Sequence, residues 1–146
     1  MIPVTSEDRG SIAARLRAHG IRPTHQRVEI AYVLLERKQH LSADQILARA
    51  NARHAETSKA TVYNTLKLLV GAGLVRELII DPSKVFYDST TEPHHHLYNE
   101  STGELTDLPA GDISISGLPP LPPGTIAHGV DIVVRTRLAL DSSHTS

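Results

Sequence analysis

Apolar positions recur at helical spacing through the first half of the chain and at strand spacing through much of the second. Residues 11–19 predict a first helix: Ile12, Ala13 and Leu16 are apolar, Arg15 and Arg17 are basic, and Gly20 stands where a helix end wants positive φ. Pro23 and Thr24 introduce a second helix over 25–37, in which Val28, Ala31, Tyr32, Leu34 and Leu35 repeat every three or four positions. Ser42 and Gln45 form the capping-box pattern of a third, which continues through Ile46, Leu47 and Ala50 to about His54 and a turn-like HAETS. A fourth starts near Ser58, with Val62, Leu66, Leu69 and Val70 on one face, Thr61, Asn64, Thr65 and Lys67 outside it, and Gly71 and Gly73 at its end.

Residues 74–80 and 84–88 are two β-rich runs separated by Asp81-Pro82-Ser83, which predicts a hairpin. Three helices, a polar-faced fourth and this hairpin predict a winged helix-turn-helix whose last helix enters the DNA major groove. HLYNESTGELTDL then reads as two strands around Ser101-Thr102-Gly103, followed by a Pro/Gly-rich stretch and a last strand in VDIVVRTRL. So small a second half does not bury its own faces, which predicts a twofold homodimer. The fold class expected is α+β: an N-terminal winged helix-turn-helix domain over residues 1–89 and a small C-terminal α/β dimerisation domain over 90–146.

Composition sharpens this picture. With 146 residues, 40% apolar and 21% charged, the chain fits a folded, soluble protein. It has no run near the about 20 apolar residues a bilayer span needs, and its first residues lack a signal-peptide pattern. The expectation is a cytoplasmic protein with no membrane partner. Cysteine is absent, which excludes disulfides, thiolate zinc sites, iron–sulfur clusters and cysteine nucleophiles. Any metal must bind through nitrogen and oxygen, and nine histidines supply the nitrogen. The net charge of −1 conceals a split: residues 1–80 hold 12 Lys and Arg against 7 Asp and Glu, whereas 81–146 hold 3 against 9. The basic half suits phosphate and the acidic half suits cations.

On the fourth helix Lys59, Thr61, Tyr63, Asn64 and Lys67 fall on or beside the face opposite the leucines, with residue types that meet base edges, thymine methyls and phosphates. An ordinary solvated face has the same pattern, and it is the preceding helix-turn-helix and the basic half that favour DNA. His94-His95-His96 follow Pro93 into a strand, where alternation sends His94 and His96 to one side. Asp88, Asp107 and His40 are further ligand types near in the pattern; histidine also serves as hydrogen-bonded or solvated surface. A His/Asp site with an open coordination position also fits a metal enzyme. No separate general base beside a pocket accompanies it, so the expectation is that the chain is not an enzyme. A DNA-binding protein with no metal control is the remaining alternative.

The segments HGIRPTHQR, HLSADQI, SKATVYNTLKLLVGAGLV, VFYD and HHHLYNESTGELTDL resemble, in order and spacing, the ferric uptake regulator family of metal-dependent repressors, across residues 11–108. The resemblance implies dimers on A/T-rich inverted repeats of double-stranded DNA, contacts there from Arg22 with the fourth-helix residues, and control of iron-homeostasis or peroxide-stress genes. It also implies a regulatory metal between the domains, held by His40, Asp88, His94, His96 and Asp107. That metal is expected to be Fe²⁺ or Mn²⁺, with Zn²⁺ able to occupy the site in vitro. Asp107 makes the set most similar to the peroxide-sensing branch, in which Fe²⁺ and peroxide oxidise a ligand histidine. The family's Cys₄ structural zinc is missing here, with Asn99 and Thr102 where its first cysteine pair falls. The chain also resembles the family's iron-response regulators, which implies haem as an alternative effector that releases DNA bound without metal. A second metal in some relatives implies a weaker counterpart at His95 with Glu104 or His128, although Pro93 replaces one ligand; the Pro-rich 117–124 replaces part of a family helix.

Overall fold

The computed structural model describes residues 8–52, 57–109, 111 and 113–139. The predicted end of the third helix near His54 and the turn residues 54–56 lie outside them. The chain forms two compact units, Met1–Thr91 and Glu92–Ser146.

The first unit contains α1 (Arg9–Ala18), α2 (His25–Leu35), β1 (His40–Ser42), α3 (Ala43–Asn51), α4 (Lys59–Gly71), β2 (Arg76–Asp81) and β3 (Lys84–Asp88). All four helices start alike: Asp8, Thr24, Ser42 and Ser58 each accept a hydrogen bond from the backbone N–H three residues on. The capping box of Ser42 and Gln45 is complete. Two helices also end alike. At Gly20 (φ 76°) and Gly73 (φ 75°) the chain turns left-handed, and the next amide reaches back to the helix, Ile21 to Leu16 O at 2.8 Å and Leu74 to Leu69 O at 3.0 Å. Ile21 and Leu74 thereby join the core, whose centre is Ile12, Leu16, Ile30, Leu34, Ile46, Val62, Leu66 and Leu69.

Two local expectations are corrected in this unit. Thr65, expected on the outer face of α4, is 1% exposed. Residues 40–42, where no strand was expected, form β1, which makes the wing a three-stranded sheet of order β1-β3-β2. The signal was an alternation of only three residues, His40-Leu41-Ser42, buried at the centre alone.

The second unit is a three-stranded sheet, β4 (His95–Asn99), β5 (Leu105–Leu108) and β6 (Val133–Thr136), in the order β5-β4-β6. β5 runs antiparallel to β4, and β6 parallel. The predicted turn is present and tightly bonded: Asn99 Oδ1 accepts from Ser101 N (2.9 Å) and Thr102 N (3.2 Å), and Gly103 has φ 76°. Residues 113–132 form neither helix nor strand. Among the described residues the α-helices all belong to the first unit, so the architecture is α+β with the helical part of the expected α/β dimerisation domain not represented. No helix among the described residues is long and apolar enough to cross a membrane.

Candidate metal centre and nucleic-acid interface

Strand pairing places potential ligands side by side within each unit. In the second unit His96 stands opposite Asp107 in the β4/β5 register, and His94, two residues earlier, shares that face. The three side chains converge: His94 Nε2 and His96 Nε2 each lie 3.5 Å from Asp107 Oδ1, and the imidazole centroids are 4.4 Å apart. Metal bonds of about 2.0–2.2 Å set neighbouring ligand atoms roughly 3.0–3.5 Å apart, so this spacing matches one shared cation. The histidine side chains are 10% and 3% exposed and that of Asp107 is 52% exposed, so solvent reaches the group from the carboxylate side.

The setting of His94 fits the same purpose. Its Nδ1 is 2.7 Å from the Glu92 carbonyl oxygen, which can only accept, so Nδ1 donates there and Nε2 is the nitrogen that faces Asp107. An outer hydrogen bond of this kind is what orients metal-binding imidazoles. Two imidazole nitrogens and a carboxylate oxygen suit Fe²⁺, Mn²⁺ and Zn²⁺.

In the first unit His40 and Asp88 are direct partners across the β1/β3 ladder, which puts both side chains on one face of the wing sheet. Asp88 is 2% exposed and accepts from Thr90 N at 2.8 Å. β1, unread in the sequence, is what brings His40 to Asp88.

His95 points the other way. It is buried, and its Nδ1 accepts from Ile132 N at 3.2 Å. Glu104 and His128 are exposed, and among the described residues His95, Glu104 and His128 do not gather into a ligand cluster.

The expected DNA-contacting residues all lie in the first unit. Arg22 is exposed between α1 and α2, and Lys59, Tyr63, Asn64 and Lys67 are exposed along α4. Thr61 is half-buried, its hydroxyl 2.9 Å from that of the N-cap Ser58. Sequence reasoning missed Glu77 and Tyr87, cross-strand partners on β2 and β3 that line, with Tyr63, Asn64, Lys67 and Val70, an open groove of about 340 Å³. Burial, and then Glu77, raises the Tyr87 phenol above its ordinary 10.0.

A winged helix with a polar helix face, followed by a sheet bearing two imidazoles and a carboxylate, defines the class of fold and site. The chain belongs to the Ferric uptake regulator family, whose sequence pattern matches residues 18–116. It is 34% identical over 95 residues to the peroxide-responsive repressor PerR of Staphylococcus epidermidis, a match covering 65% of this chain and 63% of that protein. The matched stretch is thus under two thirds of the relative's length. The fold is similar to that of the Helicobacter pylori ferric uptake regulator, described as having three functional metal binding sites (TM-score 0.66, 22% identity, 91% and 94% of the two chains). It is also similar to the manganese-containing Pseudomonas aeruginosa regulator (TM-score 0.65, 23% identity, 86% and 96%).

Proposed function

We propose that this protein is a cytoplasmic, homodimeric transcription repressor whose grip on DNA depends on a divalent cation, Fe²⁺ or Mn²⁺. The observation that carries the reading is the convergence of His94, His96 and Asp107, with the His94 ring oriented by a backbone carbonyl. His40 and Asp88, paired on one face of the wing sheet, are the ligands we assign to complete a set of three imidazoles and two carboxylates.

A cation drawing ligands from both units binds one mutual arrangement of them better than all others, so occupancy shifts the population toward it. In that arrangement the two α4 helices of a dimer meet successive major grooves about 34 Å apart, as an inverted repeat requires. Tyr63 and Asn64 face the bases, while Lys59, Lys67 and Arg22 neutralise phosphates. The similarity to peroxide-responsive repressors supports peroxide as the signal and iron-homeostasis or peroxide-stress genes as targets. When bound, Fe²⁺ supplies peroxide-dependent oxidation of a nearby histidine, for which His40 and His94 are the candidates. Transcription control, rather than catalytic turnover, is what such a site serves.

Anaerobic fluorescence anisotropy of the metal-stripped protein on its own promoter DNA, titrated with Mn²⁺ at fixed salt, tests the reading. Tightening by Mn²⁺ that His96→Ala abolishes supports it. Equal affinity with and without metal rejects metal control.

A further inference from the structure

The middle histidine of the triplet does something different from its neighbours. His95 opposes Leu108 in the β4/β5 register and turns to the sheet face away from Asp107. Its Nδ1 accepts a hydrogen bond from the Ile132 amide at 3.2 Å, while the Ile132 carbonyl accepts from the His96 amide at 3.0 Å. One residue, at the entry of β6, is therefore gripped through both its N–H and its C=O by two consecutive histidines. The ladder that follows runs in parallel register, His96 to Val133, Leu97 to Val134 and Tyr98 to Arg135.

At its far end β6 is held by the Glu100 amide on the Thr136 carbonyl at 2.6 Å and by the Leu138 amide on Ser101 Oγ at 3.0 Å; at its entry the Ile132 grip guards against a slip of one residue, which would invert every side chain on the strand. The preceding residues 113–132 form no strand or helix that could hold Ile132 in place. The grip also works in the other direction. Because His96 uses its backbone on Ile132 and its imidazole toward Asp107, the entry of β6 and the direction in which Nε2 faces are tied to the same residue.

We propose that His95 is a positioning residue that locks Ile132, and with it β6, to the histidine strand, so that metal capture by His94 and His96 and the ordering of β6 reinforce each other. The lock stands on the sheet geometry alone; its coupling to metal rests on the metal-site reading above. Binding free energies link reciprocally, so whatever strengthens the lock tightens the metal and the reverse. Metal occupancy is thereby signalled to β6 and to the proline-rich stretch leading into it, as well as to DNA.

The test is residue-resolved amide exchange by NMR on the full chain, with Zn²⁺ as a diamagnetic probe. Two polar variants separate the roles: Asn places an acceptor where Nδ1 sits, whereas Gln places it further out, near Nε2. In metal-free protein the Ile132 amide should exchange about tenfold faster in His95→Gln than in the natural chain, the worth of one hydrogen bond, with His95→Asn close to the natural rate. Zn²⁺ should slow Ile132 exchange in the natural chain and in His95→Asn, and bind about tenfold more weakly or worse to His95→Gln, as for other outer partners of metal ligands. Unchanged metal-free exchange in His95→Gln overturns the lock. A lock that is present but insensitive to bound Zn²⁺ overturns the coupling while leaving the metal site standing. Failure of the natural chain to bind Zn²⁺ overturns the site reading and the coupling together, and the metal-free comparison still decides the lock.

Discussion

The adjacent histidines where β4 begins use Nδ1 in opposite ways because their partners differ in kind: His94 Nδ1 meets a carbonyl and must donate, His95 Nδ1 meets an amide and must accept. Residue chemistry elsewhere is as dependent on the partner. The Glu29 side chain is 7% exposed and takes the Arg9 guanidinium at 2.6 Å, while Arg9 also stacks over Tyr32 at 4.2 Å. The hydrogen bond to Glu29 raises the Arg9 pKa, in keeping with a guanidinium that stays charged. Arg9→Ala removes the guanidinium from that buried carboxylate, and an expected loss of roughly 1–3 kcal/mol is measurable by urea unfolding. Arg9→Lys should recover only part of it, since an ammonium does not reproduce the fork. Tyr87 gives a pH prediction. Its folded pKa lies above the ordinary 10.0, so its proton is held more tightly in the folded state. Stability from this group is complete below pH 10 and declines as pH rises from there through the folded pKa. The alkaline decline in ΔG of unfolding should therefore be shallower in Tyr87→Phe, and an identical slope in the two proteins would refute the assignment.

At the scale of elements, one device stands in for another. The β4–β5 turn, where relatives of this chain are expected to carry a zinc-binding cysteine pair, is closed instead by Asn99 Oδ1 accepting two amides. Asn99→Ala should cost about 1 kcal/mol of second-unit stability, as other lost side-chain caps do. Helix α4 presents Lys67 and Asn64 beside one groove. Lys67→Ala should reduce the slope of log K against log salt by about 1 and weaken all DNA sequences alike, whereas Asn64→Ala should relax the preference at one base pair. The four helices and the hairpin were legible because each is local: a capping side chain, a 3.6-residue apolar repeat, a glycine or proline at the end. His94 and His96 were legible from two-residue alternation for the same reason. What was not legible depended on pairing over long separations. β1 exists because His40, Leu41 and Ser42 find Asp88, Tyr87 and Phe86 far along the chain, and nothing in three residues announces that. The last strand is shorter than the run VDIVVRTRL suggests, Val133–Thr136, with Ile132 held at its entry by His95 and His96. Thr65 was misplaced because a threonine reads as polar, while its position on α4, beside Leu66 and Leu69, is inward.

The whole molecule divides its charge as it divides its structure, with the basic excess in residues 1–80 and the acidic excess in 81–146. Each unit holds part of the proposed ligand set: His40 and Asp88 in Met1–Thr91, His94, His96 and Asp107 in Glu92–Ser146. A ligand that contacted one unit alone would stabilise only that unit. A cation bound by both must stabilise both, and at a hundredfold excess over its Kd the gain is about 2.7 kcal/mol shared between them. Calorimetry of the metal-free protein should then show two weakly coupled transitions, and Mn²⁺ should raise and merge them. His40→Ala is the informative variant, because it lies in the first unit and leaves the three convergent ligands of the second untouched. In that variant Mn²⁺ should still raise the second-unit transition, while the first should move far less and the two should stay separate. A natural protein in which Mn²⁺ shifts only the second transition would confine the metal to His94, His96 and Asp107. The control of DNA binding would then have to run through β6 and the dimer rather than through a bridge between the units.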